Sequence, residues 1–173
     1  MELLQLELSD NEWPLEYIDH ERNIARAIVY DDRGLLYFTR LVRQDEFGDG
    51  VFIETAGGGI EDGEAPVDAI RRELKEELGA EVAAEQEIAV ICDCYNLIHR
   101  RNINHYFLCK LIALGKPHLT RQEQERFSIS RSVLTPQEAL REYEAHTDCA
   151  LGRLLAAREV PVLQHALKLL SQR

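Results

Sequence analysis

The chain has 173 residues, 45% of them hydrophobic and 29% charged, with ten glycines and five prolines. This fits a single folded domain over residues 1–173 and excludes disordered, collagen-like and fibrous classes. Twenty basic residues against 31 acidic ones give a formal net charge of −11, which argues against a nucleic-acid partner held by electrostatics. No apolar run approaches the roughly 20 residues of a membrane span, and the acidic start Met1-Glu2-Leu3-Leu4 is unlike a signal peptide. A cytoplasmic location with no membrane partner is the expectation.

Residues 24–30 and 35–42 read as two strands around the turn Asp31-Asp32-Arg33-Gly34, because β-branched and aromatic runs flank turn formers. Residues 44–50 read as a polar loop and 51–55 as a short strand. Gly57-Gly58-Gly59 marks a point where backbone bends or approaches something closely. Over residues 66–78, Val67, Ile70, Leu74 and Leu78 recur at helical spacing, with Pro66 in the first turn and Gly79 positioned to end the helix. Residues 88–98 and 103–114 are predicted strands joined through His99-Arg100-Arg101-Asn102, and 127–134 is another. A helix begins near Thr135-Pro136, and a last one runs over about 161–170 with Val162, His165, Ala166, Leu169 and Leu170 as its buried stripe. This order predicts an α/β fold, a mixed sheet packed between helices. Cys92, Cys94, Cys109 and Cys149 lack zinc-ligand spacing and read as packing residues.

Between residues 61 and 87, ten acidic residues face three basic ones, which supplies seven of the eleven net negative charges. Glu73, Glu76 and Glu77 are related by i, i+3 and i, i+4, so they converge on one helix face, roughly 100° or more from the apolar stripe. Carboxylates this close repel one another, and a hard octahedral cation with oxygen ligands, magnesium or manganese, would relieve the repulsion. A solvated face with ion pairs to Arg72 and Lys75 would use the same residues.

The wider pattern decides between these two readings. From Gly58 the chain gives five residues, Glu64, seven residues, then Arg72-Glu73-Leu74-Lys75-Glu76-Glu77-Leu78-Gly79-Ala80. This resembles the Nudix box, G-x5-E-x7-R-E-U-x-E-E-x-G-U with U a bulky aliphatic residue. All seven fixed identities are present, a match expected by chance on the order of 10⁻⁸ per starting position. Ala80 departs from the preferred aliphatic residue at a position that touches packing alone.

The resemblance implies an α/β/α sandwich and hydrolysis of a diphosphate linkage in a nucleoside diphosphate joined to another moiety. It implies that Glu73, Glu76 and Glu77, with the backbone carbonyl of Gly57, hold Mg2+ or Mn2+, and that Arg72, Glu64 and Gly58 support them. A further carboxylate, Glu123 or Glu125, is the candidate extra ligand or general base, although both also suit an ordinary polar loop. Arg40 and Arg43, on or just after a strand leading toward the box, are candidate substrate contacts, and the stretch from Arg40 to Gly58 is similar to that of ADP-ribose and nucleotide-sugar pyrophosphatases. Those enzymes usually carry proline where Thr55 and Tyr95 stand here. A tyrosine near Tyr95 marks dinucleoside polyphosphate hydrolases, so this residue is either a substrate contact or a packed strand residue. Nucleoside triphosphate hydrolysis and nucleotide sensing without cleavage are the remaining alternatives. Family members often dimerise, and the Leu-rich N-terminal segment is a candidate surface for a second copy.

Overall fold

The computed structural model describes residues 3–121, 124 and 128–173. In chain order the described elements are β1 (Leu4–Leu8), β2 (His20–Tyr30), β3 (Leu36–Asp45), β4 (Gly48–Glu54), β5 (Gly57–Gly59), α1 (Pro66–Leu78), β6 (Ala80–Tyr95), a 3-10 turn at Asn96–Ile98, β7 (Arg100–Leu114), β8 (Ser128–Leu134), α2 (Pro136–Ala145) and α3 (Ala150–Leu170). The strands form one mixed sheet in the order β1-β6-β7-β2-β3-β4, with β5 beside β2 and β8 beside β3.

Strand alternation builds a core on each face of this sheet. Ala25, Ala27 and Val29 of β2, with Phe107 and Cys109 of β7, pack on Ile70, Leu74 and Leu78 of α1. The intervening Ile28, Tyr106 and Leu108 face the other way, onto Ala139 and Tyr143 of α2 and Val162, Leu163 and Ala166 of α3. The result is the expected α/β/α sandwich. Full burial of each large aliphatic side chain contributes about 1.5–3 kcal/mol, so the stripe of α1 anchors that helix to the sheet. Gly79 ends α1 in the left-handed conformation at φ 64°, and Thr135 begins α2 with a reciprocal capping box to Glu138.

The sheet splits on one side of β2. β2 and β3 pair only at Val29↔Tyr37 and Tyr30↔Leu36. Beyond that point β3 takes β4 as its neighbour, from Thr39↔Glu54 to Asp45↔Gly48, while β2 takes β5, from Ile24↔Gly59 to Arg26↔Gly57. The chain therefore leaves one lip of a wedge at Glu54 and joins the other at Gly57. It crosses the apex through Thr55 and Ala56, where the Ala27 N–H donates to the Ala56 carbonyl at 3.1 Å.

Four elements differ from the sequence expectation. The polar loop at 44–50 is a hairpin: β3 and β4 continue through it and leave only Glu46 and Phe47 as the turn. β6 starts at Ala80, with Glu81 and Glu87 paired in an antiparallel ladder to β7 and Glu85 at one of its three register shifts. α3 starts at Ala150 and carries Pro161 in its interior. Proline removes one helical hydrogen bond, but burial of Leu151, Leu155, Arg158 and Glu159 holds the turns before it. β1 pairs parallel with β6, and Leu4, Leu6 and Leu8, read from sequence as a surface for a second copy, pack against this chain's own core. No helix among the described residues is long and apolar enough to cross a membrane.

Candidate active site

The glycine bend forms one lip of the wedge. Gly57 has φ 152°, and a Cβ there would run into the Ala25 carbonyl of the adjacent strand, so only glycine lets β5 lie against β2 at this point. A Cβ on Gly58 would sit 2.5 Å from the Glu73 carboxylate carbon. The missing methyl is thus the space that Glu73 occupies, and Glu73 is only 6% exposed.

Arg72 ties the loop after β5 to α1. Its Nε donates to Glu64 Oε1 at 2.9 Å and its Nη2 to Glu64 Oε2 at 2.9 Å, a bidentate pair. Nη2 also donates to the Gly59 carbonyl at 3.1 Å, and Nη1 to Glu73 Oε1 at 2.7 Å. Nη1 further lies 3.6 Å from Glu76 Oε2. Glu77 turns toward the lip, where its Oε2 accepts the Gly57 N–H at 3.0 Å.

A family model for the NUDIX domain matches residues 20–151. The chain belongs to the Nudix family. None of the curated proteins compared matches it significantly. Among solved structures, the fold is similar to the E. coli ORF135 protein, with a TM-score of 0.63 at 23% identity, covering 93% of this chain and 98% of that one. It is also similar to a NUDIX hydrolase from Nitrosomonas europaea, with a TM-score of 0.57 at 16% identity over 73% of this chain and 80% of that one. β1 and most of α3 flank the matched Nudix region and pack on the same sheet.

Glu73 and Glu77 of the Nudix box line a cleft of about 430 Å³ together with Gly57, Gly58 and Gly59. Glu76 does not line it. Among the described residues, no group of three or more acidic, histidine or cysteine side chains is gathered closely enough to hold a metal ion. Arg72 neutralises Glu73 and approaches Glu76, and Glu77 accepts a backbone N–H. The donor chemistry nonetheless fits a hard divalent ion, since Glu73 and Glu77 present oxygens to the cleft beside a glycine that leaves room for them. Glu123 and Glu125 lie outside the described residues.

The other sequence candidates separate clearly. Arg43 lines the cleft, paired to Asp45 at 2.9 Å and lying over the Phe47 ring. Tyr95 lines it too, but its hydroxyl accepts from Arg158 Nη1 at 2.9 Å and its ring packs edge-on to Phe47. Arg40, expected to contact substrate, lies outside the cleft lining: its guanidinium grips Glu142 of α2 at 2.5 Å and Ser132 of β8 at 3.1 Å, which pins helix to sheet.

Sequence reasoning missed the buried charged group behind the cleft, built on Arg158 and Arg26. Arg158 of α3 is fully buried and reaches Glu54, Asp93, Tyr95 and Glu159. Arg26 lies beside this group, bonding Asn104 at 3.0 Å and the Thr55 carbonyl at 3.2 Å. Arg22 and Arg100 line the cleft as well. The available signal was a charge inside an apolar strand, Arg26 between Ala25 and Ala27, and the Arg158-Glu159 pair on the apolar stripe of a helix.

The Arg72–Glu64 clamp carries a pH prediction. The Arg72 guanidinium, helped by the Glu61 N–H, holds the Glu64 carboxyl at about 2, below its ordinary 4.5. A depressed folded value means that the clamp's contribution is complete above about pH 4.5 and is lost as pH falls toward 2. Glu64→Gln is expected to flatten the acid limb of stability in that window, read by urea unfolding at stepped pH. An acid limb identical to that of the wild type would show that the clamp does not contribute.

Proposed function

We propose that the cleft hydrolyses the diphosphate linkage of a nucleoside diphosphate derivative, of nucleotide-sugar or ADP-ribose type, using Mg2+ or Mn2+. Membership of the Nudix family supports a hydrolase. The observation that carries the reading is that box carboxylates and arginines share one cleft: Glu73 and Glu77 lie on the glycine lip, and Arg22, Arg26, Arg43 and Arg100 line the same space. Anionic groups on both partners of a phosphate would repel each other, so a cation between them supplies the attraction.

In this reading Glu73, Glu76 and Glu77 would hold the ion. When bound, it would polarise phosphate oxygens and lower the pKa of an attacking water. Arg72 keeps Glu73 aligned with the lip, and Glu64 keeps Arg72 in place. Gly57, Gly58 and Gly59 let the diphosphate approach backbone. Arg22 and Arg100, which make no ion pair with the described residues, face the cleft as donors for phosphate oxygens.

The test is a panel of nucleotide sugars, ADP-ribose, dinucleoside polyphosphates and nucleoside triphosphates with Mg2+ and with Mn2+, scored by product. The expected result is two monophosphates from a nucleotide-sugar or ADP-ribose substrate, with kcat reduced about 100-fold or more by Glu76→Gln or Glu77→Gln. Pyrophosphate release would overturn the substrate class, and intact binding without cleavage would overturn the enzyme.

A further inference from the structure

The apex of the wedge holds a feature that phosphate chemistry does not use. Glu54 ends β4 there and lines the cleft, its side chain 14% exposed. Its Oε1 accepts from Arg158 Nη2 at 3.2 Å, and its Oε2 takes no hydrogen bond from the described residues. Arg26, Arg158 and Arg43 together outweigh burial and hold this carboxyl below its ordinary value. It therefore stays ionised and can only accept hydrogen bonds near neutral pH. The next residue, Thr55, is 2% exposed and its hydroxyl has no partner.

In the hydrolase reading the divalent cation gathers the diphosphate at the glycine lip, while Glu54, already paired with Arg158 and unable to donate to a phosphate oxygen, faces the rest of the ligand. Leu41, Phe47, Ile98 and Leu151 supply apolar wall, which suits a flat heterocycle. Of the polar groups at the apex, Glu54 requires an N–H donor, while Arg26, held by the neighbouring Thr55 carbonyl at 3.2 Å, requires an acceptor.

We propose that Glu54 and Arg26 form a base-reading subsite, in which the Glu54 carboxylate accepts an exocyclic amino group and Arg26 donates to the adjacent ring nitrogen. Cytosine and adenine present that donor beside that acceptor. Uracil and hypoxanthine replace the amino group with a carbonyl oxygen, which would meet the carboxylate as a second acceptor. A site built to bond one such group rejects the analogue lacking it far more strongly than an apolar pocket rejects a change of size. The choice of a nucleotide ligand rests on the hydrolase reading above.

The experiment is calorimetric titration of the full chain, with Mg2+, using the non-hydrolysable α,β-methylene analogues of CDP, UDP, ADP and IDP. The expected result is that the cytidine and adenosine analogues bind at least about tenfold tighter than their uridine and inosine counterparts, and that Glu54→Gln brings each pair to within about twofold. Equal affinities within both pairs, no binding at all, or a preference that survives in a folded Glu54→Gln protein would overturn the proposal. Should Glu54→Gln unfold, the two wild-type ratios decide alone. Loss of all hydrolysis with the amino preference intact would instead overturn the catalytic reading and leave the subsite standing.

Discussion

Replacing Gly58 by alanine is expected to lower the rate of metal-dependent hydrolysis about 100-fold while changing unfolding free energy by less than about 1 kcal/mol. The added methyl would stand 2.5 Å from the Glu73 carboxylate carbon, well inside van der Waals contact. The obstacle is the far end of a flexible side chain, so Glu73 yields and the fold does not. A displacement of about 1 Å at a reacting centre is enough to cost about 10² in rate. Gly57→Ala is the contrasting control. There the new atom would meet the Ala25 backbone at a residue with φ 152°, and the strand pairing itself must give. Parallel measurement of kcat and urea midpoints separates the two. A Gly58→Ala protein with wild-type kcat would show that the position of Glu73 does not matter to the chemistry.

Arg158→Met is expected to destabilise the protein by about 3–5 kcal/mol, because removing one partner of a buried ion pair strands the others. Arg158 has no exposed surface and lies within hydrogen-bond reach of Glu54, Asp93 and Glu159. Burial opposes its charge, but Tyr95 and Tyr106 together with Glu159 and Asp93 outweigh it: the guanidinium is held charged, well above its ordinary range. After the substitution Arg26, 4.0 Å from Glu159, and Arg43, which acts on Glu54, are the cations left beside three acids. At this chain length the loss corresponds to a Tm drop of roughly 10 °C, measurable by calorimetry. A change under about 1 kcal/mol would mean that solvent reaches the group in the folded state.

The parts of this molecule legible in sequence are those whose causes are local. α1 declares itself through the spacing of Val67, Ile70, Leu74 and Leu78, and its end through Gly79; the structure begins and ends the helix where these residues place it. The box residues could be named because the seven fixed identities of the motif that this stretch resembles all fall between Gly58 and Gly79. The wedge is different. Glu54 and Arg158 meet across 104 residues of chain, and no periodicity encodes a contact at that separation. The same holds for Arg40, whose place on a strand leading toward the box suggested a substrate contact but whose partner, Glu142, arrives 102 positions later. Pro161 misled for a related reason. Its local effect is to disfavour a helix interior, and the burial that overrides it comes from strands distant in sequence. β1 was missed because five alternating residues carry little signal until β6 is present to pair with them.

The crossing from Glu54 to Gly57 also acts as a ruler. Three peptide steps separate Glu54 at the apex from Gly57, the first glycine of the bend, and an extended chain advances at most about 3.3–3.6 Å per residue, so the two Cα atoms are held within roughly 11 Å of one another. If the apex grips a ligand as proposed, that ligand is thereby indexed to the bend by covalent bonds rather than by packing, and lengthening this connector by a single residue is expected to throw the two sites out of phase even if each stayed individually intact.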